Sequence, residues 1–399
     1  MTEQTASPPR MPMARRCPFD PPDELIALHE EGRLITPMTF PDGAIGWLVT
    51  GHALTRAVLT DRRFSARGAL RRSAVMDLPT TPEQPGVFVY MDAPEHTRLR
   101  KLVVGQFTAR RLKQLESRIE QIVADQLDAM ERHGSPADLM REYAIPVPST
   151  VICELLGIPY DEYEYFLRRV EPVFDIKGVE EEVGEIYQEV YSYLLGLVAR
   201  KRAEPGTDII SGLITNQEAE LSDDELVGMS FMMLLAGFET TAHMLGLGTF
   251  LLFQHPDQME LLRNDPSVVD TATEELLRYL TITQYDISNR TALEDVELGG
   301  VLVKKGQTVA ISLPAANRDP ARFPDPNRLD LTREPAGHVA FGYGVHQCLG
   351  QQLGRMELRI ALPALLRRFP TLRLGVAPEE VVTRVELPNY GVQSLPVEW

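Results

Sequence analysis

The sequence predicts a mainly α-helical protein with a minor β region. Apolar residues recur at helical spacing through most long segments, among them Arg110–Arg132, Glu181–Lys201 and Gln351–Arg368. A further helix is predicted from His52. Short runs rich in β-branched and aromatic residues predict strands at Trp47–Thr50, Val296–Val303, Thr308–Leu313 and the C-terminal LPVEW.

One long central helix is predicted over Ser222–Gln254. Ser222 and Glu225 have the spacing of a capping box, and no proline follows before Pro256. At about 1.5 Å per residue the segment is roughly 50 Å long, enough to cross nearly the whole of a compact protein of this size. The run Phe231–Leu235 is apolar on every side of the helix, which predicts burial.

The composition is that of a globular protein. Hydrophobic residues make up 44% and charged residues 24% of the 399 positions, which argues against a disordered or fibrous chain. The net charge of −17 repels nucleic acid and anionic membrane surfaces, so we expect neither as a partner.

The chain is predicted to consist of a lead-in and one domain. Residues 1–22 are rich in proline and lack the apolar core of a signal peptide, so we expect a poorly ordered lead-in. Residues 23–399 contain no repeat and are expected to form a single domain. The apolar run Met229–Gly237 is far shorter than the roughly 20 residues that span a bilayer. We therefore expect a cytoplasmic protein, and a monomer.

The segment FGYGVHQCLG around Cys348 is the strongest chemical signal. Gly342 and Gly344 allow tight turns, and the helical run beginning at Leu349 would place a helix dipole beside the sulfur. Gly350 leaves room for a flat macrocycle. The alternative is a buried, inert cysteine after a turn, which the joint pattern of Phe341, two glycines, His346 and Gly350 disfavours. Cys17 and Cys153 lack such a context and are expected to be structural.

This segment resembles the haem-binding signature of the cytochrome P450 family. The resemblance covers essentially the whole chain and is closest to soluble actinobacterial members that tailor macrolides and other secondary metabolites, which indicates a role in antibiotic biosynthesis. It implies the P450 fold, with haem b between the long helix and the helix that follows the cysteine loop. It also implies that Cys348 is the axial iron ligand, whose thiolate favours O–O cleavage, and that Phe341, Gly342 and Gly350 contact the haem.

Four side chains are expected, by this resemblance, to bind the haem propionates. They are His96, Arg100, Arg290 and His346. Each taken singly could be a surface charge or a satisfied histidine, and Arg290 is the weakest of the four. Their joint presence is the stronger argument.

The segment Ala236–Thr241 resembles the family's oxygen-activation segment. Gly237 is expected to let a ligand approach the helix, Thr240 to hydrogen-bond the bound oxygen, and Glu239 to relay protons. The alternative is an ordinary helix with a back-bonded threonine and an exposed glutamate. Phe238 and His243 depart from the histidine and asparagine that are commoner in related proteins, so the proton route is expected to differ.

Glu275 and Arg278 stand at i,i+3 on a predicted helix. Alone, this spacing is equally typical of a solvated surface pair. The resemblance implies instead a structural brace for the haem pocket, in which the pair joins a second arginine from the segment 317–324.

Basic residues are concentrated between His96 and Lys113, with no acidic residue among them. They are Arg98, Arg100, Lys101, Arg110, Arg111 and Lys113. By resemblance, an acidic ferredoxin would bind this patch and deliver electrons that come from NAD(P)H through a ferredoxin reductase. The alternative is a solvated basic helix face.

The expected substrate is a large, mainly apolar small molecule, a macrolide or polyene lactone, that dioxygen hydroxylates or epoxidises. Candidate contacts mix apolar residues with a few polar ones, namely Phe88, Val89, Met232, Leu235, Ala236, Gln284, Ile287 and Tyr390. Peroxide-driven oxidation or isomerisation is the closer alternative activity. A haem-based sensor is disfavoured because no segment is left over for an output domain.

Overall fold

The computed structural model describes residues 7–77, 83–107, 109–159, 162, 180–216, 220–334 and 337–399; within its helices, the side chains of 109–112, 114, 180–184 and 186–187 lie outside this description. The chain contacts group into two compact units. Unit 1 comprises residues 1–83, 247–348 and 382–393, and unit 2 comprises residues 84–246, 349–381 and 394–399. The division into a lead-in and one domain over 23–399 stays a prediction.

Helices dominate the described residues, as predicted. They are α1 (Asp23–Glu30), α2 (His52–Thr60), α3 (Glu95–Val104), α4 (Ala109–His133), α5 (Pro146–Leu156), α6 (Glu180–Ala203), α7 (Ile209–Ile214), α8 (Asp223–Gln254), α9 (Pro256–Asn264), α10 (Val269–Leu280), α11 (Leu313–Ala316) and α12 (Gln351–Arg368). The strands are β1 (Ile35–Thr39), β2 (Ile45–Val49), β3 (Phe64–Ser65), β4 (Ala137–Asp138), β5 (Arg290–Ala292), β6 (Val296–Leu298), β7 (Val301–Val303), β8 (Thr308–Ile311), β9 (Arg373–Leu374) and β10 (Pro396–Glu398).

Unit 1 is built around a mixed sheet with the strand order β1-β2-β8-β5-β3. Only β2 and β8 run parallel in the described sheet, with Trp47 opposite Val309, and the other neighbours are antiparallel. Strands β6 and β7 form a separate hairpin, whose turn uses Gly299 and Gly300 at φ 56° and 83°. All four predicted strand regions therefore contain strands.

We expected a poorly ordered lead-in, but residues 7–22 pack against other parts of unit 1. Met11 and Phe19 are buried, and Phe19 stacks edge-on against Phe250 with 4.8 Å between ring centroids. The Arg15 guanidinium lies 3.9 Å from the ring centroid of Tyr390. The proline content predicted the lack of helix correctly, but the apolar and cation–π contacts that hold the segment are long-range and invisible in its composition.

Unit 2 is mainly helical, with a small sheet in the order β4-β10-β9. Helix α8 is continuous over 32 residues, and its start has the predicted capping box. Ser222 Oγ accepts a hydrogen bond from the Glu225 N–H at 3.1 Å, and the Glu225 carboxylate accepts one from the Ser222 N–H at 3.0 Å. Cys153 on α5 is buried in the apolar core, where desolvation raises its pKa to about 12, in keeping with a structural role.

No helix within the described ranges combines the length and hydrophobicity that crossing a bilayer requires.

Candidate active site

The cysteine loop leaves the core of unit 1 as a series of tight turns. Gly342 and Gly344 adopt φ values of 67° and 74°, in the left-handed region that side chains disfavour. The backbone N–H of Cys348 donates to the carbonyl of Phe341 at 2.9 Å, which closes the loop, and the Cys348 thiol is exposed. The sequence thus folds here into a tight turn that presents one sulfur atom.

The glycines of this segment serve different purposes. A Cβ built at Gly344 would lie only 2.5 Å from the Leu59 carbonyl oxygen, so this position needs glycine for packing against the end of α2. At Gly342, and likewise at Gly350, a Cβ would meet no described atom within 4 Å. Within unit 1, open space at Gly342 together with the exposed thiol of Cys348 fits a flat iron cofactor with sulfur ligation.

The predicted propionate-binding residues occupy two regions. In unit 1, Arg290 is buried on β5 and donates to the Asn289 carbonyl at 2.8 Å, while His346 lies half-buried in the 3₁₀ turn of the cysteine loop. In unit 2, His96 is buried on α3, and Arg100 is half-buried one turn further along the same helix. The roles of all four stay predictions.

Two neighbouring threonines on α8 direct their hydroxyls differently. Thr240 Oγ1 donates to the Ala236 carbonyl at 2.9 Å, one turn back, which is the back-bond that the sequence suggested. Thr241 Oγ1 instead donates to a carboxylate oxygen of Glu357 on α12, at 3.2 Å. Thr240 is therefore bonded to the backbone of its own helix, whereas Thr241 joins α8 to α12.

Glu239 and His243 form a pair on α8. Glu239 Oε1 and His243 Nε2 are 3.7 Å apart, and their side chains are 14% and 4% exposed. The histidine that departs from the family pattern thus lies beside the glutamate expected to relay protons. Glu239 is partly shielded from solvent by the helix packing, contrary to the alternative of an exposed glutamate.

Gly237 lies where α8 packs closely against α5. A Cβ at this position would lie 2.8 Å from Cγ1 of Ile152 on α5. Helix packing therefore requires a glycine here. The approach of a ligand to the helix at Gly237 stays a prediction.

Glu357 was missed by the sequence reasoning. Its side chain is 1% exposed, and desolvation raises its pKa to about 8. The available signal was a lone acid within the largely apolar face of a helix, since Leu353, Leu358 and Ala361 of α12 are buried with it. Such a carboxyl is held neutral near pH 7.

The pair Glu275 and Arg278 is a buried ion pair on α10. Arg278 Nε and Nη2 donate to the two carboxylate oxygens at 2.7 and 2.8 Å, and both side chains are at most 2% exposed. The surface alternative is therefore wrong. The Arg278 Nη1 group also donates to the carbonyls of Asn317 and Pro326, each at 2.9 Å.

The second arginine of this network was predicted in the wrong segment. Arg333, not a residue of 317–324, reaches Glu275, with 3.2 Å from Nε to Oε1. Arg318 is occupied elsewhere, with its guanidinium 3.7 Å from the ring centroid of Tyr279 and 3.0 Å from Asp20. The chain turns back after Arg318, so the arginine that reaches the carboxylate comes later in the sequence.

The basic patch is partly neutralised in unit 2. Arg98 is hydrogen-bonded to Glu225. Lys101 and Lys113 are exposed, whereas the side chains of Arg110 and Arg111 lie outside the described residues. Binding of a ferredoxin to this patch stays a prediction.

The predicted substrate contacts fall into one group in each unit. In unit 2, Phe88, Met232 and Leu235 belong to one apolar cluster, while Val89 is half-buried and Ala236 is exposed.

In unit 1, Gln284 and Tyr390 are both buried, and both contact Arg15. The Gln284 amide also donates to the Val385 carbonyl at 2.9 Å, and Ile287 is 36% exposed. These substrate roles stay predictions.

Comparisons with known proteins agree with this arrangement. The sequence profile of the cytochrome P450 family matches residues 174–387. Cytochrome P450 105C1 of a Streptomyces species is 47% identical, over 99% of this chain and 99% of its own. 6-Deoxyerythronolide B hydroxylase of Saccharopolyspora erythraea is 41% identical, over 91% of this chain and 92% of its own.

A crystal structure of CYP105P1 in complex with filipin I superposes with a TM-score of 0.92 at 42% identity, covering 98% of this chain and 99% of that one. The chain therefore belongs to the cytochrome P450 family, and it is a P450 monooxygenase with the P450 fold.

Proposed function

We propose that this protein inserts one atom of dioxygen into a large, mainly apolar secondary metabolite of the macrolide or polyene class, by hydroxylation or epoxidation. The observation that carries the proposal is the exposed thiol of Cys348 in a loop that two left-handed glycines shape. When haem is bound through this sulfur, it supplies the redox chemistry that activates dioxygen.

Cys348 would bind the iron as a thiolate. Its backbone N–H donates to the Phe341 carbonyl, and this bond helps to set the shape of the turn that carries the sulfur. His96, Arg100, Arg290 and His346 would hold the propionates through charge-assisted hydrogen bonds. Phe341, Gly342 and Gly350 would line the ring.

Proton delivery would depend on α8. Thr240 would offer its hydroxyl, which donates to the Ala236 carbonyl in this structure, as a hydrogen-bond donor during oxygen activation. Glu239 would move protons toward Thr240, and His243, 3.7 Å from the Glu239 carboxylate, would exchange protons with that carboxylate. A histidine is suited to this exchange because its ring nitrogens can both accept and donate a proton.

The substrate class is supported by the relatives and by the apolar candidates. One relative is named as a hydroxylase of 6-deoxyerythronolide B, and another binds filipin I in its crystal structure. Phe88, Met232 and Leu235 would supply apolar surface, and Gln284 and Tyr390 would orient polar groups. Electrons would come from NAD(P)H through a ferredoxin reductase and a ferredoxin that binds the basic patch.

The test of this proposal asks whether Cys348 binds the haem iron. The purified reduced protein should give an absorption band at about 450 nm with carbon monoxide, the mark of thiolate ligation. Cys348→Ser should lose this band, whereas Cys153→Ser, a change at the buried structural cysteine, should keep it. If the Cys348→Ser protein still gives the band, the proposal is wrong.

The choice of oxidant distinguishes the proposed activity from the alternative, peroxide-driven oxidation. Turnover with dioxygen, NAD(P)H and a ferredoxin system should exceed turnover with hydrogen peroxide alone. The reverse ranking would support the rival activity.

A further inference from the structure

The segment that enters the cysteine loop is tied to α10 through a histidine. His338 Nε2 is 3.0 Å from Glu274 Oε2, and the two side chains are 5% and 15% exposed. The other ring nitrogen, Nδ1, accepts a hydrogen bond from the Ala340 N–H at 3.2 Å. Because Nδ1 accepts, the proton of the neutral ring is on Nε2 and is donated to Glu274.

The tip of the same loop is tied to α2 through a tyrosine. The Arg56 guanidinium lies 4.1 Å from the ring centroid of Tyr343 and also donates a hydrogen bond to its hydroxyl. The next residue, Gly344, lies against the end of α2, where a Cβ would come 2.5 Å from the Leu59 carbonyl oxygen. The cation thus lies over an aromatic side chain five residues before Cys348.

The hydrogen bonds inside the loop do not perform this anchoring. Gly342 donates to Val339, Gln347 to Gly344 and Cys348 to Phe341, so each of these bonds joins two members of the loop. They set the shape of the loop but leave its position to contacts with other elements. Glu274 and Arg56 supply such contacts from two different helices.

We propose that these two contacts form a clamp that positions the cysteine loop, with Glu274 and Arg56 acting as positioning residues through His338 and Tyr343. This inference rests on the proposed function, in which Cys348 binds iron. The clamp keeps the sulfur at bonding distance when the loop fluctuates. Loss of the clamp favours a state in which the thiolate has left the metal, because the loop must move to reach that state.

The test measures how fast thiolate ligation is lost. The reduced, carbon monoxide-bound protein is held in mild urea, and the decay of its band at about 450 nm is followed in time. Arg56→Leu and Glu274→Gln should each speed the decay about five- to tenfold, as expected for loss of one cation–π contact or of the charge that strengthens a buried hydrogen bond. Arg56→Lys, which keeps the charge but loses the planar stacking, should show an intermediate rate.

Matched controls come from exposed charged residues near the two contacts of the clamp. Arg62→Leu, beyond α2, and Asp270→Asn, on α10, should decay at the wild-type rate. The urea midpoint of the haem-free proteins should be the same for Arg56→Lys and wild type, which separates loop positioning from general loss of stability.

The outcomes are distinct from those of the proposed function. If the wild-type protein never gives the band, the proposed function fails and the clamp fails with it. If wild type gives the band but Arg56→Leu and Glu274→Gln decay at its rate, the clamp alone is overturned. An equal acceleration by Arg62→Leu and Asp270→Asn would overturn it too, since the effect would then follow surface charge.

Discussion

Thr241 on α8 donates a hydrogen bond to Glu357 on α12, with 3.2 Å between the hydroxyl and carboxyl oxygens. Both side chains are buried, and the loss of solvation raises the pKa of Glu357 to about 8. The partner of this neutral carboxylic acid, Thr241, is therefore the next residue after Thr240, the threonine expected to contact bound oxygen. It joins the helix that follows the cysteine loop to the helix that carries the oxygen-activation segment.

Glu357→Gln should alter how stability depends on pH. The pKa of Glu357 is about 8 in the folded protein and close to its ordinary value of 4.5 when unfolded. Between these values the folded chain keeps a proton that the unfolded chain releases, so the wild type loses stability as pH rises, by up to about 1.4 kcal/mol per unit. Glutamine does not titrate and removes this slope.

Urea unfolding of both proteins at pH values of about 5, 6.5 and 8 measures the difference. The advantage of the glutamine variant over wild type should grow from the lowest pH to the highest. Parallel curves would mean that Glu357 titrates alike in the two states, contrary to its burial.

Thr240→Ala should uncouple oxygen consumption from product formation. The variant should still bind haem and substrate, because the hydroxyl now donates only to the Ala236 carbonyl among the bonds described for it. Without a hydroxyl to hold the bound oxygen, reducing equivalents should be diverted to hydrogen peroxide. The ratio of peroxide formed to NAD(P)H consumed should rise, and Thr240→Ser should restore it toward wild type. Unchanged coupling in the alanine variant would defeat the role given to Thr240.

Glu239→Gln should slow turnover by roughly 100-fold, the usual scale for loss of a proton-transfer group. His243→Gln should have a smaller effect, because it removes the partner 3.7 Å away but leaves the carboxylate. Turnover in H₂O and in D₂O measures the proton step directly. A solvent isotope effect that is larger in the Glu239→Gln protein supports the relay, and two variants with wild-type turnover would contradict it.

The features predicted correctly depend on neighbours in sequence. The capping box of Ser222 and Glu225 is closed within one turn, and the left-handed glycines of the cysteine loop act through their own backbone angles. The features that were missed depend on residues far apart. Thr241 meets Glu357 across 116 positions, and nothing local to either residue shows the pairing.

Two other features of the site also depend on residues far apart in the sequence. Gly237 packs against Ile152, on a helix far earlier in the chain. The second arginine of the Glu275 network could be assigned only to a segment rich in arginine, since its final position depends on how the loop from 317 to 333 turns. Sequence spacing identifies which groups need a partner, and tertiary packing selects the partner.

Glu275→Gln tests whether burial of a carboxylate strengthens its ion pair, because the chain contains a second pair of the same spacing whose glutamate is exposed and whose arginine is largely buried. Glu260 and Arg263 on α9 have the same i,i+3 spacing and a similar distance, 3.0 Å, but the Glu260 side chain is 58% exposed. Loss of the buried carboxylate leaves Arg278 and Arg333 without their counter-charge, which should lower the free energy of unfolding by about 3 to 5 kcal/mol. Glu260→Gln should cost less than about 1 kcal/mol, since water solvates the exposed Glu260 carboxylate. Urea unfolding of the two variants measures both values, and haem content per chain should fall only for Glu275→Gln if the network braces the haem pocket.

Equal losses of stability at the two sites would show that Glu275 and Arg278 contribute no more than the Glu260 pair. Full haem content in a destabilised Glu275→Gln protein would separate the network from the cofactor site.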